Sequence, residues 1–192
     1  MLTGDQTFLD LGCAFAQDVR RLVADGVDSS CCYGADLRLS FIDLGYELFR
    51  DKSTLRSKFI EADIFAAESG LDELKGKVDI INASSFFHLF SWEQQKSVAR
   101  AVIKLLKPHK GSLLLGRHVG EQIGRERARG DGGTMWRHDV ASWQRMWKEV
   151  GEESGTTFEV LGSLAEIPGM VIEEPNSEAR GLMMSFSVRR LD

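Results

Sequence analysis

The sequence predicts an α/β fold: a doubly wound sheet of seven strands, mostly parallel and ending in an antiparallel C-terminal hairpin. Three observations predict it. Short apolar runs alternate with helix-period segments along all 192 residues, the pattern of repeated strand–helix units. The first apolar run stops at a glycine from which a helix departs, as in folds that seat a ligand over their first strand–helix turn. Between the last two apolar runs nothing is long or regular enough for a crossover helix, so they should pair antiparallel.

The elements follow in order. The first strand covers residues 7–11 and Gly12 stops it. A helix over 17–25 places Val19, Leu22 and Val23 on one face, and Gly26 ends it. The second strand is 31–37. The next helix starts near Ser40, a suitable N-cap, and carries Phe41, Leu44, Leu48 and Phe49 at helical spacing. The third strand is 58–62. The fourth, 78–83, is an apolar run suited to burial on both faces. A helix over 91–106 is stopped by Lys107-Pro108, and the fifth strand is 112–119. Residues 120–133 break all periodicity, are rich in glycine and arginine, and read as a mobile loop with Arg125, Arg127 and Arg129 facing solvent. A helix over 139–153 buries Val140, Trp143, Met146, Trp147 and Val150, and two strands at 157–164 and 182–190 close the chain.

No linker divides the chain, and its length suits one domain over 1–192. A net charge of −5 disfavours a nucleic-acid partner. No apolar run approaches the roughly 20 residues of a membrane span, so no membrane partner is expected. Residues 1–6 have no basic segment and no apolar run, so no secretory leader is expected. Cys13, Cys31 and Cys32 are odd in number and lack any CxxC spacing. They read as small buried apolar residues of a reducing compartment, the cytoplasm, rather than as a disulfide or a metal site.

The chemistry gathers at the strand ends. The turn after the first strand must let backbone approach a ligand closely, and Gly12, Ala14 and Ala16 are small enough. The helix behind it offers free N–H groups to an anion. Asp36 ends the second strand, where a carboxylate can accept from ribose hydroxyls. Asp63 ends the third, placed for an adenine amino group, and Asp10, two residues before the turn, can bind an amine. Three acids at three strand ends match a ligand made of an amino acid, a ribose and an adenine, namely S-adenosyl-L-methionine (SAM). An oxidoreductase using NAD(P) fits less well, since the full G-x-G-x-x-G is missing and the last hairpin is of the wrong kind.

This pattern resembles the class I, Rossmann-like SAM-dependent methyltransferases over nearly the whole chain. More closely, the runs FLDLGCAFAQDVRRLVADG, YGADLRLSFIDLGYELFRD, INASSFFHLFSWEQQ and LLKPHKGSLLLGRHVG resemble fungal methyltransferases of meroterpenoid and related secondary-metabolite pathways. The resemblance implies methyl transfer from SAM to a small molecule, in several such enzymes at a carboxylate. It implies a cofactor site built from Asp10, Gly12, Cys13, Ala14, Asp36, Leu37, Asp63 and Ile64, with backbone from Asn82, Ala83 and Ser84. Two departures stand out. Ala16 replaces a frequent glycine, and the first strand begins within seven residues of Met1, where relatives carry helices that help to cover the cofactor. The expectation is an exposed cofactor face, covered by self-association or by a partner. The rival reading is a catalytically silent protein of the same fold that acts through partner binding.

The acceptor should lie beside residues 84–90, whose Ser-Ser-Phe-Phe-His-Leu-Phe is unlike the Asn/Asp-Pro-Pro-Tyr of amino-group methyltransferases. Phe86, Phe87 and Phe90 read either as pocket walls or as core. His88 reads as a general base, a substrate hydrogen-bond donor or a structural histidine. Arg117-His118 and Arg137-His138 are expected to flank the substrate opening as clustered cations, the competing reading being solvated surface charge. Trp136, Trp143 and Trp147 are expected to pack.

Overall fold

The computed structural model describes residues 6–174 and 177–192. Residues 1–5, which bear on the expectation of no leader, lie outside the described residues. Among these residues nine strands and four α-helices follow one another as β1 (Phe8–Leu11), α1 (Gln17–Ala24), β2 (Cys32–Asp36), α2 (Leu39–Phe49), β3 (Lys58–Glu61), β4 (Ile80–Asn82), α3 (Trp92–Leu105), β5 (Leu113–Gly120), β6 (Arg125–Ala128), β7 (Thr134–Arg137), α4 (Val140–Ser154), β8 (Phe158–Glu174) and β9 (Ser177–Arg190). Seven of the strands form one sheet in the order β3-β2-β1-β4-β5-β9-β8, parallel as far as β5 and antiparallel from there on. The chain winds outward from β1 to β3 and returns to β4 on the other side of β1. That reversal leaves a crevice at the carboxyl ends of β1 and β4, the place where such sheets bind ligands.

Alternation along the strands sets the two faces. Leu9, Leu11, Ile81 and Leu114 point to one side and pack with Val98, Val102, Trp143, Met146, Trp147 and Val150 of α3 and α4. Phe8 points to the other side, where Cys13, Val19, Cys32 and Ile42 form a smaller cluster under α1 and α2. Capping boxes start the two long helices: Ser91 with Gln94 on α3, Asp139 with Ser142 on α4. On the α1 side, no helix among the described residues covers the ends of β4 and β5. Ile80, Leu113 and Leu115 stay half-exposed there and, with Phe8, Leu22 and Val27, line a groove of about 1150 Å³. Among the described residues no helix is long and apolar enough to cross a membrane.

The stretch over 120–133 departs from the expectation of a mobile loop. β5 runs on to Gly120, and β6 pairs with β7 so that Arg125 faces Arg137 and Arg127 faces Met135. The physical reason is Glu121, which is 9% exposed and takes ion pairs from Arg125 and Arg127. Arg125, Glu126 and Arg127 thus show the period of a strand, with Arg125 and Arg127 gathered onto one buried carboxylate. The hairpin docks on the segment after β4, because Trp136 N donates to Phe90 O at 2.8 Å and the Arg129 guanidinium donates to Leu89 O at 2.9 Å.

Candidate active site

The turn after β1 is held in an uncommon shape. Gly12, Ala14 and Ala16 have φ of 76°, 47° and 53°. For the two alanines the left-handed region costs roughly 1–2 kcal/mol each. At position 12 only glycine fits, since a Cβ would lie 2.6 Å from Phe86 Cδ2. The ring of Phe86 therefore lies on the turn itself. Gly12 N and Cys13 N both donate to Ala35 O, at 2.8 and 3.0 Å, which ties the turn to β2. Cys13 is 2% exposed and its thiol, pushed up by burial, faces inward, so only its backbone borders the crevice.

Asp36 Oδ2 accepts from Ala14 N at 2.9 Å and Oδ1 from Arg38 N at 3.0 Å. A carboxylate has about four acceptor positions, so two are left for a ligand. Leu37 beside it is 62% exposed. Asp63 is exposed and accepts from Phe65 N at 2.9 Å, which folds the segment after β3 into a tight turn with Ile64 half-buried.

Asp10 lies deeper, 4% exposed, and accepts from Asn82 Nδ2 at 2.8 Å. The Asn82 amide reaches Asp18 at 3.4 Å, and Ser84 Oγ donates to Asn82 Oδ1 at 2.9 Å. Burial pushes the Asp10 carboxyl up to about 7; the Asn82 bond opposes this, and the charges of Asp18 and Asp36 add to it. Three acids thus stand close together, and among the described residues no cation offsets Asp18 and Asp36 at Asp10, an arrangement suited to a ligand cation. Ala83 is fully buried, and its N–H donates to Leu115 O at 2.9 Å, so its side chain does not reach the crevice. Asp18 was not singled out from the sequence. Its signal was its place in the first turn of α1, one helical turn beyond Ala14.

On the β4–β5 side, His88 sits in a short 3₁₀ turn, Phe87–Leu89, with Nδ1 buried and unpartnered. Burial, and then the nearby charge of Arg137, lower its pKa to about 4. His118 is fully buried between Phe186 (5.0 Å) and Trp143 (5.2 Å), with neither ring nitrogen hydrogen-bonded. Its ring lies 6.2 Å from that of His88 and 6.1 Å from that of His138.

The four residues expected as a cationic cluster do not form one. His118 is held neutral by burial. His138 is fully buried, bonds to Ser142 Oγ at 2.9 Å and to Gln95 Oε1 at 3.0 Å, and has its pKa pushed down to about 3 by burial. It braces the hairpin, since Gln95 also donates to Phe90 O and Trp136 O. Arg117 is exposed and, by strand alternation, faces away from His118. Arg137 remains near His88. Its Nε is buried and unpartnered, and its Nη1 is 3.9 Å from Glu121. Trp143 and Trp147 pack in the core, as expected, and so does Phe87.

A family model for a methyltransferase domain matches residues 8–109, from β1 to just beyond α3. This chain belongs to the methyltransferase family. It is 44% identical over 160 residues to O-methyltransferase phiE from a fungal species, covering 82% of this chain and 53% of that protein. It is 47% identical over 163 residues to O-methyltransferase atr3 of Stereocaulon alpinum, covering 83% and 47%. The chain thus spans about half the length of these curated relatives. Among solved structures, it superposes on the Burkholderia thailandensis 1,6-didemethyltoxoflavin-N1-methyltransferase with a TM-score of 0.67 at 13% identity, over 97% of this chain and 71% of that one. That likeness shows the Rossmann-like fold. In this methyltransferase chain the family match contains the β1 turn, Asp36, Asp63, Asn82 and His88, whereas Arg117, Glu121 and Arg137 lie beyond it.

Proposed function

We propose that the chain is a single SAM-dependent methyltransferase domain that methylates an oxygen, carboxylate or hydroxyl, of a small secondary metabolite. The observation that carries this reading is Asp10, 4% exposed and bonded to Asn82 at 2.8 Å, with Asp18 and Asp36 close enough to add to the effect of burial, which pushes its carboxyl up to about 7. A cation bound there would restore its ionised form, and the amino group of SAM is such a cation. Asp36 would take the ribose hydroxyls, Leu37 and Ile64 the apolar faces of the base, and Asp63 its amino group. Gly12, Cys13, Ala14, Asn82, Ala83 and Ser84 would supply the backbone and polar lining.

When bound, SAM would supply an electrophilic methyl for the acceptor oxygen, with S-adenosylhomocysteine as the other product. The residues of the acceptor side favour a carboxylate. A histidine at about 4 is a weak proton acceptor for a hydroxyl near pH 7, whereas a carboxylate needs positioning and desolvation rather than a base. Arg137 would hold it, and the relatives named O-methyltransferases support an oxygen acceptor. Calorimetry with SAM and S-adenosylhomocysteine, followed by turnover with a panel of carboxylic acids and phenols, tests the reading. Absence of binding would overturn it.

The half-exposed Ile80, Leu113 and Leu115 support a second element of the reading, that another surface covers this face, a second copy of the chain or a partner protein. Sedimentation showing a strict monomer that binds the cofactor tightly would count against it. Among the described residues no disulfide joins Cys13, Cys31 or Cys32, which supports a reducing, cytoplasmic setting. Binding without turnover of any acceptor would favour the silent, partner-binding alternative.

A further inference from the structure

The turn between β1 and α1 keeps two alanines left-handed, and α1 has no side-chain N-cap. Its shape must therefore be imposed from outside the turn. Asp36 holds one side by accepting from Ala14 N. The other side is held by Arg20. Its Nη1 donates to Phe15 O at 2.6 Å and reaches Ala16 O at 3.4 Å. The guanidinium is itself locked, with Nε and Nη2 donating to the two oxygens of Asp51 at 2.7 and 3.0 Å. The rings of Phe49, Tyr46 and Phe59 surround it at 4.6, 5.4 and 5.5 Å, leaving the side chain 8% exposed. Gly45 of α2 closes the arrangement. A Cβ there would lie 2.7 Å from Phe15 O and 3.3 Å from Arg20 Nη1, so α2 presses against the same carbonyl.

We propose that Arg20 is a positioning residue for the cofactor turn. It fixes the carbonyls of Phe15 and Ala16 so that Ala14 and Ala16 stay left-handed, and Asp51 acts on the turn through Arg20 alone. Only the ligand-binding arm of its test rests on the SAM reading above. A bidentate, ring-packed arginine is more than a tie between two helices here, because two of its contacts end on the strained turn. Lysine could keep the charge but could not span Asp51 and Phe15 O together.

The test compares the full chain with Arg20→Gln, Arg20→Lys and Asp51→Asn, and with Arg21→Gln as a control one residue along. Arg21 is a fitting control because its side chain is 77% exposed and pairs with Asp25. Hydrogen exchange should quicken at least about tenfold at the amides of residues 13–17, while those of β4 and β5 stay unchanged. Binding of S-adenosylhomocysteine should weaken about tenfold in the three variants and stay within about twofold in the control. Adding Ala14→Gly and Ala16→Gly to Arg20→Gln should recover most of that affinity, since glycine takes a positive φ unaided. Unchanged exchange in the turn, or an even rise across α1, α2 and β3 without loss of affinity, would overturn the proposal in favour of a packing tie. Should Arg20→Gln fail to fold, Arg20→Lys and Asp51→Asn decide the matter. Should the wild-type chain not bind S-adenosylhomocysteine, the cofactor reading fails, and the exchange comparison alone decides the role of Arg20.

Discussion

Asp10 and Asn82 face each other across the parallel pair β1 and β4, with the amide nitrogen of Asn82 2.8 Å from the Asp10 carboxylate. The bond spans the point where the sheet reverses its winding and ties the two strands whose ends form the crevice. It stabilises the ionised form of Asp10 only in part, which leaves the carboxyl at about 7.

Cofactor binding should consequently depend on pH. If a ligand ammonium needs ionised Asp10, affinity for S-adenosylhomocysteine should fall about tenfold between pH 8 and pH 6. Calorimetry at the two values checks it, and Asp10→Asn should bind weakly with a flat profile. The sign for stability is opposite. The folded carboxyl lies above its ordinary 3.8, so its contribution is fully present below about 4 and is lost as pH rises through 7. Asp10→Asn should therefore raise Tm by a few degrees at pH 8.

Asp36→Ala should weaken S-adenosylhomocysteine by about 30- to 150-fold, on the order of 2–3 kcal/mol. It removes the proposed ribose acceptor together with the partners of Ala14 N and Arg38 N. Equal affinity in wild type and variant would refute the assignment.

The acceptor side is tested by Arg137→Gln against His88→Ala. A charge-assisted pair to a sheltered carboxylate contributes about 1.5–3 kcal/mol. Arg137→Gln should thus raise the acceptor KM at least about tenfold, with little change in cofactor affinity. Arg117→Ala, an exposed change, should do little. If His88→Ala abolishes turnover while Arg137→Gln is near normal, the acceptor is a hydroxyl and His88 its base.

Glu121→Gln should loosen the β6–β7 hairpin. Arg125 and Arg137 are cross-strand neighbours, and like charges so placed repel unless countered. A loss of about 1.5–3 kcal/mol, for weakening the charge-assisted bonds of a buried carboxylate to arginines that are partly exposed, should lower Tm and expose residues 120–133 to proteolysis. Unchanged digestion would show that the hairpin holds without it.

Much of this protein was legible in the sequence, because the signals were local. Period-2 and period-3.6 patterns, Gly12 at a turn and an acid at or near the end of each of the first three strands all follow from chain neighbours, whereas Ser40, expected as a cap, lies inside α2, which has no side-chain cap. The fold class and the expected place of the crevice follow from the local signals, while the strand order came from the structure. What the sequence could not decide was the electrostatic state of groups that meet across the fold. Arg117, His118, Arg137 and His138 look alike as exposed basic pairs, yet burial neutralises both histidines and strand alternation sends Arg117 to the other face. The arginine-rich segment read as a loop because its partner, Glu121, is enclosed only when Arg125, Arg127 and Arg137 gather around it in the fold. Asp10 and Arg20 gain their character in the same way. Desolvation and long-range hydrogen bonds depend on which residues the fold brings together, and pattern along the chain carries no record of that.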